Sequence, residues 1–319
     1  MTAKAAGAVV GALLAAGCVH RPPLIEPVLA APAQPVVELS DVPFFPQRDY
    51  QCGPAALATV LSAAAVAVTA DELVERVYIP GRKGSLQLEL LAASRGFDRL
   101  PYPLEPTLPA LLSEIAAQRP VLVLQNLGID SVPIWHYAVV IGFDATTDHL
   151  ILRSGTTQRM ETSARRFMSS WKRAGFWAIV ILDPGTVPDG ADRGRYVEAA
   201  AGLEAARRYD AAARAYDAAL RRWPDDPLAL LGLGNVNYAR GNLVDAEAAY
   251  RRLLAVDPAH FIARNNLAQT LLDRGDLQSA MTEITAAQAS IDDLRFAPLL
   301  AATEAAIRQA LEKQERPQR

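Results

Sequence analysis

Cys52 and His136 are the two residues whose types and spacing are suited to covalent chemistry. Cys52 opens a predicted helix that runs to Leu61, and Gly53 and Pro54 follow it in the first turn, where a missing N–H is tolerated. Backbone N–H groups and the helix dipole at such a terminus stabilise a thiolate. The pattern therefore predicts a nucleophilic thiol with a lowered pKa. The alternative is a buried cysteine that only packs.

His136 lies in an apolar run, Trp135 to Phe143, that is typical of a strand. An imidazole there can take the proton from a thiol and return it to a leaving group. The alternative is a structural histidine that only packs. A cysteine at a helix start, followed about eighty residues later by a histidine on a strand, is similar to the order in papain-like enzymes. Together the two residues predict a catalytic pair.

Two sequence strings carry a family resemblance: Cys-Gly-Pro-Ala-Ala from Cys52 and His-Tyr-Ala-Val-Val-Ile-Gly from His136. With their flanks they resemble the C39-like cysteine peptidases, whose papain-like domain removes leader peptides after paired small residues during bacteriocin export. The resemblance implies Cys52 as nucleophile, His136 as general base and Gln47 as the amide donor of the oxyanion hole. Gln51 is the alternative donor, because Gln47 stands five residues before Cys52 where the family commonly has six.

The family's third residue, an Asp or Asn on the strand that returns beside the histidine strand, has no counterpart here, since that strand ends at Ser154. A turn near Thr146 would place residues 154 to 156 opposite His136 and leave Asp144 roughly 26 Å away, at about 3.3 Å per residue. Ser154 or Thr156 can accept a hydrogen bond from the imidazole but supplies no negative charge. The sequence therefore predicts a slow or specialised enzyme, or an inactive one.

Helices precede strands in the segment that holds these residues. The second predicted helix opens with a capping box, Thr69 and Glu72, and the third stops at Gly96. Helices are predicted over residues 52–61, 69–78, 86–95 and 108–118. Strands are predicted over residues 121–125, 135–143, 149–153 and 176–182. This order indicates an α+β domain over residues 41–185, and the resemblance implies a papain-like fold for it.

Residues 190–315 contain a 34-residue internal repeat. Pairs at this spacing include Pro224 and Pro258, Tyr216 and Tyr250, and Gly241 and Gly275. The period is the tetratricopeptide signature, in which helix pairs bury their apolar faces by stacking. We expect an all-α solenoid that binds a protein partner, with repeats at 193–226, 227–260 and 261–294 and a C-terminal capping helix.

Three asparagines of this segment are candidates for partner binding. Asn235, Asn265 and Asn266 fall on the first helices of their repeats, which line the concave surface of such arrays. They either hydrogen-bond an extended peptide or remain solvated surface amides.

Residues 1–18 have the features of an export signal. Lys4 precedes an apolar run, residues 5–16, that covers about 18 Å as a helix and is too short to span a bilayer. Leu-Ala-Ala-Gly-Cys18 resembles the lipobox of bacterial lipoproteins, which implies lipidation of Cys18, and Val19 is similar to the pattern of outer-membrane lipoproteins that face the periplasm. A plain secretory signal or a short buried helix is the alternative. The proline-rich residues 19–40 predict a semi-rigid spacer that holds the next domain away from the membrane.

Composition and charge exclude other classes of function. The 319 residues leave room for two domains, and a formal charge of −3 gives no excess of Lys and Arg for binding nucleic acid. Two cysteines provide neither a disulfide scaffold nor a four-cysteine zinc cluster, so no metal or other cofactor is expected.

Three functions fit the sequence. The first is a membrane-anchored, thiol-dependent peptidase of the bacterial envelope that acts on a peptide or protein. The second is a non-catalytic lipoprotein adaptor, in which the papain-like domain binds peptide and the repeats recruit partners. The third is acyl transfer, in which an amine instead of water captures the thioester.

Overall fold

The structure, a computed structural model, describes residues 22–26, 34–291 and 293–315. Cys18 and the predicted export signal lie outside the described residues. Within those residues the chain folds as an α+β domain followed by a run of helices, so the predicted fold class is confirmed. None of the described helices combines the length and apolarity needed to cross a bilayer.

An antiparallel sheet forms the centre of the first domain. Its strands in the described residues are β1 (Val36–Glu38), β2 (Leu100–Pro103), β3 (Val121–Asn126), β4 (Trp135–Asp144), β5 (His149–Ser154), β6 (Thr157–Ser163) and β7 (Ala178–Leu182). Neighbouring strands are hydrogen-bonded in the order β2-β7-β3-β4-β5-β6, and β1 pairs with the C-terminal end of β4. The central strands β3 and β4 are buried over most of their length, because both faces of the sheet are covered.

Two strands that the sequence pattern missed lie at the edges of this sheet. β2 contains Pro101 and Pro103, which lack the N–H that an inner strand needs, and an edge tolerates them. β6 is polar and largely exposed, so it has no apolar alternation to reveal it. Both strands pair on one side only, which explains why hydrophobic patterning fails there.

Five helices pack around the sheet: α1 (Cys52–Ala63), α2 (Ala70–Val77), α3 (Gln87–Gly96), α4 (Leu108–Ala116) and α5 (Ala164–Lys172). The predicted capping box at the start of α2 is confirmed, since Thr69 and Glu72 bond each other's backbone N–H. Gly96 remains inside α3, and the left-handed residue after this helix is Asp98, with φ 55°. Helix α5 was missed because its surface carries mostly polar residues.

Part of the predicted spacer is folded onto the domain. Residues Val36–Glu38 pair with β4, and the side chain of Ile25 is fully buried in the core. The backbone N–H groups of Leu24 and Ile25 donate to Asp148 Oδ1 at 2.8 and 3.0 Å. The prediction of a spacer over all of residues 19–40 is wrong for these segments, because their backbone and apolar groups find partners on the domain.

The second domain is a stack of helix pairs. Its helices are α6 (Arg193–Ala205), α7 (Tyr209–Arg222), α8 (Pro227–Ala239), α9 (Leu243–Val256), α10 (Phe261–Asp273), α11 (Leu277–Ala289) and α12 (Ala297–Glu315). The pairs α6–α7, α8–α9 and α10–α11 each fall within one predicted repeat. Helix α12 buries Leu300 and Ile307 against the last pair, as a terminal helix that covers an exposed apolar face should.

The two domains share one continuous apolar core. The rings of Tyr102 on β2 and Tyr196 on α6 lie 6.2 Å apart between centroids, and the Asp192 N–H donates to the Tyr102 hydroxyl at 2.9 Å. The Arg208 guanidinium bonds both carboxylate oxygens of Asp98 at 2.7 and 2.5 Å. The first repeat is therefore packed against the sheet domain, not joined to it by a free linker.

Candidate active site

A cavity of about 860 Å³ opens where α1 begins beside the start of β4. Cys52, His136 and Gln47 all line it. Gln51, the alternative amide donor, is the N-cap residue of α1 and is not among the residues that line this cavity. The structure thus brings together the three residues that the resemblance implies.

The Cys52 thiol is mostly buried at the first position of α1. Burial raises its pKa, while backbone N–H groups of Tyr137, Gly53 and Cys52 itself act to lower it. The net pKa lies above the usual value of a thiol, opposite to the sequence expectation, because loss of solvation outweighs the helix N-terminus. The resting group is therefore a neutral thiol at neutral pH.

Gly53 permits a close approach between α1 and the chain before α3. A Cβ at this position would lie 2.3 Å from the Ser85 Oγ, so only glycine fits without a shift. The Tyr137 hydroxyl donates to the Ser85 carbonyl at 3.3 Å and closes the same corner. The Ser85 hydroxyl is buried at the cavity and has no hydrogen-bond partner in the described structure.

His136 reaches the cavity from the start of β4, opposite Gln125 of β3. Burial lowers the pKa of its imidazole, so the neutral form dominates at neutral pH. Its Nε2 lies 2.8 Å from the Ser154 Oγ. Because Nε2 is engaged there, Nδ1 is the ring nitrogen that remains for a thiol proton.

Ser154 is thus the residue that occupies the third position beside the histidine. Thr156, the other candidate, is exposed in the turn between β5 and β6. Asp144 pairs with His149 at the far end of β4 and accepts hydrogen bonds from Thr146, as the hairpin geometry predicted for a residue remote from His136. Ser154 can orient the imidazole but cannot neutralise an imidazolium.

Gln47 lies between Cys52 and the β5–β6 turn. Its backbone N–H donates to the Gly155 carbonyl at 3.1 Å, and its side-chain Oε1 is buried with no hydrogen-bond partner among the described residues. With Cys52 and Ser154 it also lines a small depression beside the main cavity. A side-chain amide in this place is suited to bind an oxyanion together with the Cys52 backbone N–H.

Arg153 is a positioning residue that sequence reasoning missed. Its guanidinium is buried and donates to the carbonyls of Ser40, Val42 and Gln158 at 3.0, 2.9 and 2.6 Å. These bonds fix the end of β5, which carries Ser154. No spacing in the sequence signals this role, because all three acceptors are backbone groups.

Two aromatic residues next to Cys52 and His136 in sequence are exposed, not packed. Tyr50 is 57% and Trp135 54% exposed, and both line the cavity, whereas Tyr137 is buried. Their closeness to the pair in sequence is compatible with packing or with lining a peptide groove. The exposed rings leave an open surface around Cys52.

In the second domain, the candidate asparagines bond to one another. Asn266 Nδ2 donates to Asn235 Oδ1 at 3.0 Å, and Asn235 Nδ2 donates to Glu204 Oε1 at 3.2 Å. Asn265 Nδ2 donates to Asn266 Oδ1 at 3.2 Å. These bonds join the first helices of the three repeats. The asparagine amides therefore hydrogen-bond within the helix stack, which is neither the peptide binding nor the solvated surface position expected from the sequence.

With this geometry, comparisons with known proteins define the class of both domains. Residues 39–179 match the Peptidase_C39 like family, and residues 197–255 and 245–293 match the tetratricopeptide repeat. The chain therefore carries a C39-like peptidase domain followed by tetratricopeptide repeats. A search of curated proteins gives no match.

Solved structures resemble one domain or the other. A Bacillus anthracis protein described as a C39-like peptidase is 18% identical with a TM-score of 0.39, over 46% of this chain and 97% of its own. The Yersinia enterocolitica type III secretion chaperone SycD, in complex with a peptide of the translocator YopD, is 22% identical with a TM-score of 0.36, over 38% of this chain and 94% of its own. The TPR2B domain of yeast Sti1 is 16% identical with a TM-score of 0.34, over 36% of this chain and 97% of its own.

Proposed function

We propose that this protein is a thiol-dependent peptidase in which Cys52 is the nucleophile. The observation that carries the proposal is the cavity at which the α1 N-terminus, His136 and Gln47 meet. This arrangement supplies a nucleophile, a base and an oxyanion donor within one site, the minimum set for acyl transfer to a thiol.

The proton and the charge move in a fixed order. As the Cys52 Sγ attacks the scissile carbonyl carbon, His136 Nδ1 takes the thiol proton and the Gln47 amide and Cys52 N–H bind the oxyanion. Collapse breaks the C–N bond, and the imidazolium returns the proton to the leaving amine. Water, deprotonated by His136, then cleaves the thioester and restores the thiol.

Loss of the thiol tests the proposal. The full chain and its Cys52→Ala variant are incubated with a synthetic peptide library, and products are identified by mass spectrometry. We expect cleavage by the unchanged chain and none by the variant. Equal cleavage by both would remove Cys52 from the mechanism.

Alkylation of Cys52 by iodoacetamide, compared with a His136→Ala variant, reports the activation of the thiol independently of any substrate.

A non-catalytic adaptor is the second candidate, and Ser154 is the observation that favours it. Among the described residues no carboxylate bonds His136 Nε2, so the imidazolium needed in the reaction has little charge stabilisation. A chain that binds library peptides and never cleaves them would establish this role.

If cleavage occurs, added glycinamide distinguishes hydrolysis from acyl transfer, because only transfer yields an amidated product.

We further propose that Cys18 carries a lipid that anchors the protein in the bacterial envelope, at the outer membrane facing the periplasm. The lipobox resemblance and Val19 support this location. Expression with an alkyne-tagged fatty acid is expected to label the unchanged chain and not Cys18→Ser. Label retained in the variant would contradict anchoring at this residue.

The repeat domain is proposed to bind a protein partner. Tetratricopeptide repeats are protein-binding modules, and this domain offers no chemistry of its own. Crosslinking of the full chain in cells, compared with a chain truncated after residue 226, which keeps the first repeat packed on the sheet domain, is expected to show partners that depend on the remaining repeats. Identical crosslinks from both chains would contradict this assignment.

A further inference from the structure

Two residues at the mouth of the cavity adopt the left-handed backbone conformation that favours glycine. Tyr50 has φ 62° and Lys83 has φ 47°. The Lys83 Nζ lies 5.4 Å from the centroid of the Tyr50 ring, so the two residues contact each other. Such backbone conformations carry a cost for non-glycine residues and gather at ligand-binding sites.

The loop that carries Lys83 is held closed by its own backbone. The Ile79 N–H donates to the Gly84 carbonyl at 2.8 Å, and the Lys83 N–H donates to the Pro80 carbonyl at 3.1 Å. This turn holds Arg82 and Lys83 exposed on one wall of the cavity. In the described structure neither cation forms an ion pair.

The charge on this side of the cavity is net positive. Asp49 is the one carboxylate among the residues that line it, against the two cations Arg82 and Lys83. A negatively charged group entering here would meet two unpaired cations that are already in place, so little ordering is needed to bind it.

The remaining wall is apolar. Leu127, Ile134 and Trp135 line the cavity, and each is more than half exposed. They belong to an extension of the β3–β4 hairpin, in which the Leu127 N–H donates to the Ile134 carbonyl at 2.8 Å. Apolar side chains left open beside a nucleophile are suited to bind an apolar group of a ligand.

We propose that the cavity selects peptides that present an acidic side chain to Arg82 and Lys83 and an apolar side chain to Trp135 and its neighbours. Both walls line the same cavity as Cys52, so both side chains are expected to belong to residues near the attacked bond. The proposal deepens the peptidase function and rests on it for cleavage, whereas the selection of peptides by binding does not require catalysis.

Charge reversal on the cationic wall is the principal test. Peptides cleaved by the full chain from a random synthetic library are sequenced, and Asp and Glu are expected to be enriched at one position near the cut. In Lys83→Glu this enrichment is expected to fall about twofold to fivefold, the range for losing an exposed ion pair. Arg82→Glu repeats the test if the first variant is unstable. Lys313→Glu, on exposed α12, makes the same change of net charge and is expected to keep the preference.

The apolar wall is tested by Trp135→Ala. This variant should weaken the preference for peptides with an apolar side chain near the cut and leave the preference for an acidic side chain unchanged. No acidic enrichment, or enrichment unchanged in both charge-reversed variants, overturns the proposal.

A binding measurement separates this proposal from the catalytic one. The full-length Cys52→Ala chain is used to retain peptides from the same library. Acidic enrichment that is lost with Lys83→Glu supports the proposal even if no chain cleaves peptide, in which case only the peptidase function fails. Retention without any acidic preference overturns it.

Discussion

In the described residues both domains bury polar atoms without partners, but those of the peptidase domain include two at the cavity, whereas Asn265 Oδ1 of the repeats lies within the helix stack. Beside the cavity, Gln47 Oε1 and Ser85 Oγ are buried without partners. In the repeats, the Glu204 carboxylate accepts bonds from the Tyr216 hydroxyl at 2.7 Å and from Asn235 at 3.2 Å. An unpaired buried group costs about 1–3 kcal/mol, so the peptidase domain gives up stability near Cys52 and keeps polar atoms available for a ligand.

Packing shows the same contrast. A Cβ at Gly232 would lie 2.2 Å from the Tyr216 ring, and one at Gly234 would lie 2.3 Å from the Tyr250 ring. The peptidase domain has a similarly close approach at Gly53, but it also keeps a cavity of about 860 Å³ there. We therefore expect substitutions that change a chemical group to have their largest effects on activity in the first domain. Substitutions that change side-chain volume should have their largest effects on stability in the second.

The largest effect is expected from His136→Ala. Without the base, kcat/KM for peptide cleavage should fall at least about 10³-fold, while the fold is retained. His149→Ala is the matched control, since His149 is the first residue of β5 and, among the described residues, its side chain bonds only the Thr147 carbonyl. Equal losses in both variants would mean that the effect is structural.

Gln47→Ala comes next. Removing one oxyanion donor should lower kcat by about 10²–10³-fold. Gln51→Ala should leave kcat nearly unchanged, because Gln51 does not line the cavity. The reverse ranking would make Gln51 the donor and contradict the geometry described above.

A volume change in the repeats should act on stability alone. Gly234→Ala is expected to lower the free energy of unfolding by about 1–3 kcal/mol, since the added methyl overlaps the Tyr250 ring. Gly190→Ala, with nothing within 4 Å of the added atom, is the control. Urea denaturation measures both. The alkylation rate of Cys52 should stay constant, and a changed rate would show that the domains are coupled.

Ser154→Ala should have a moderate effect on catalysis. Losing the hydrogen bond that orients the imidazole removes about 1 kcal/mol, or about a fivefold to tenfold fall in kcat. Thr156→Ala, at the exposed position two residues on, is the control. An unchanged rate in Ser154→Ala would show that packing alone orients His136.

The smallest effect is a displacement of the pH profile. Burial lowers the pKa of His136, so its neutral, basic form persists below the usual value of about 6.5 and the acid limb of kcat/KM should lie below that pH. Burial raises the pKa of Cys52, so alkylation should accelerate only above about pH 8.5. A thiol that titrates near pH 6 would instead indicate a resting ion pair with His136.

Sequence patterns predicted much of the fold because the residues that form each pattern lie close together in the sequence. The capping box at Thr69 needs only Glu72, and the 34-residue period is visible without any contact. Edge strand β2 was missed because Pro101 and Pro103 are tolerated only where a strand has one neighbour, which depends on the whole sheet.

The sequence predicted which residues form the candidate site, but it did not predict the pKa of the Cys52 thiol. The strings around Cys52 and His136 identify the pair, and hairpin counting brings Ser154 to it. The raised pKa of Cys52 follows from burial by residues distant in sequence, which no helix-start pattern reports. Lys83 and Tyr50 likewise meet only through the turn that closes between Ile79 and Gly84.

The attachment of Leu24 and Ile25 to Asp148 limits how far the first domain can move from an anchor at the N-terminal side. With the lipid proposed at Cys18, five residues lie between the anchor and Leu24, and a fully extended chain over these six steps spans at most about 20 Å. The residues expected to be a long spacer would then be a short tether. Catalysis would be confined to a shallow layer next to the bilayer, and substrates would have to enter that layer to be cut.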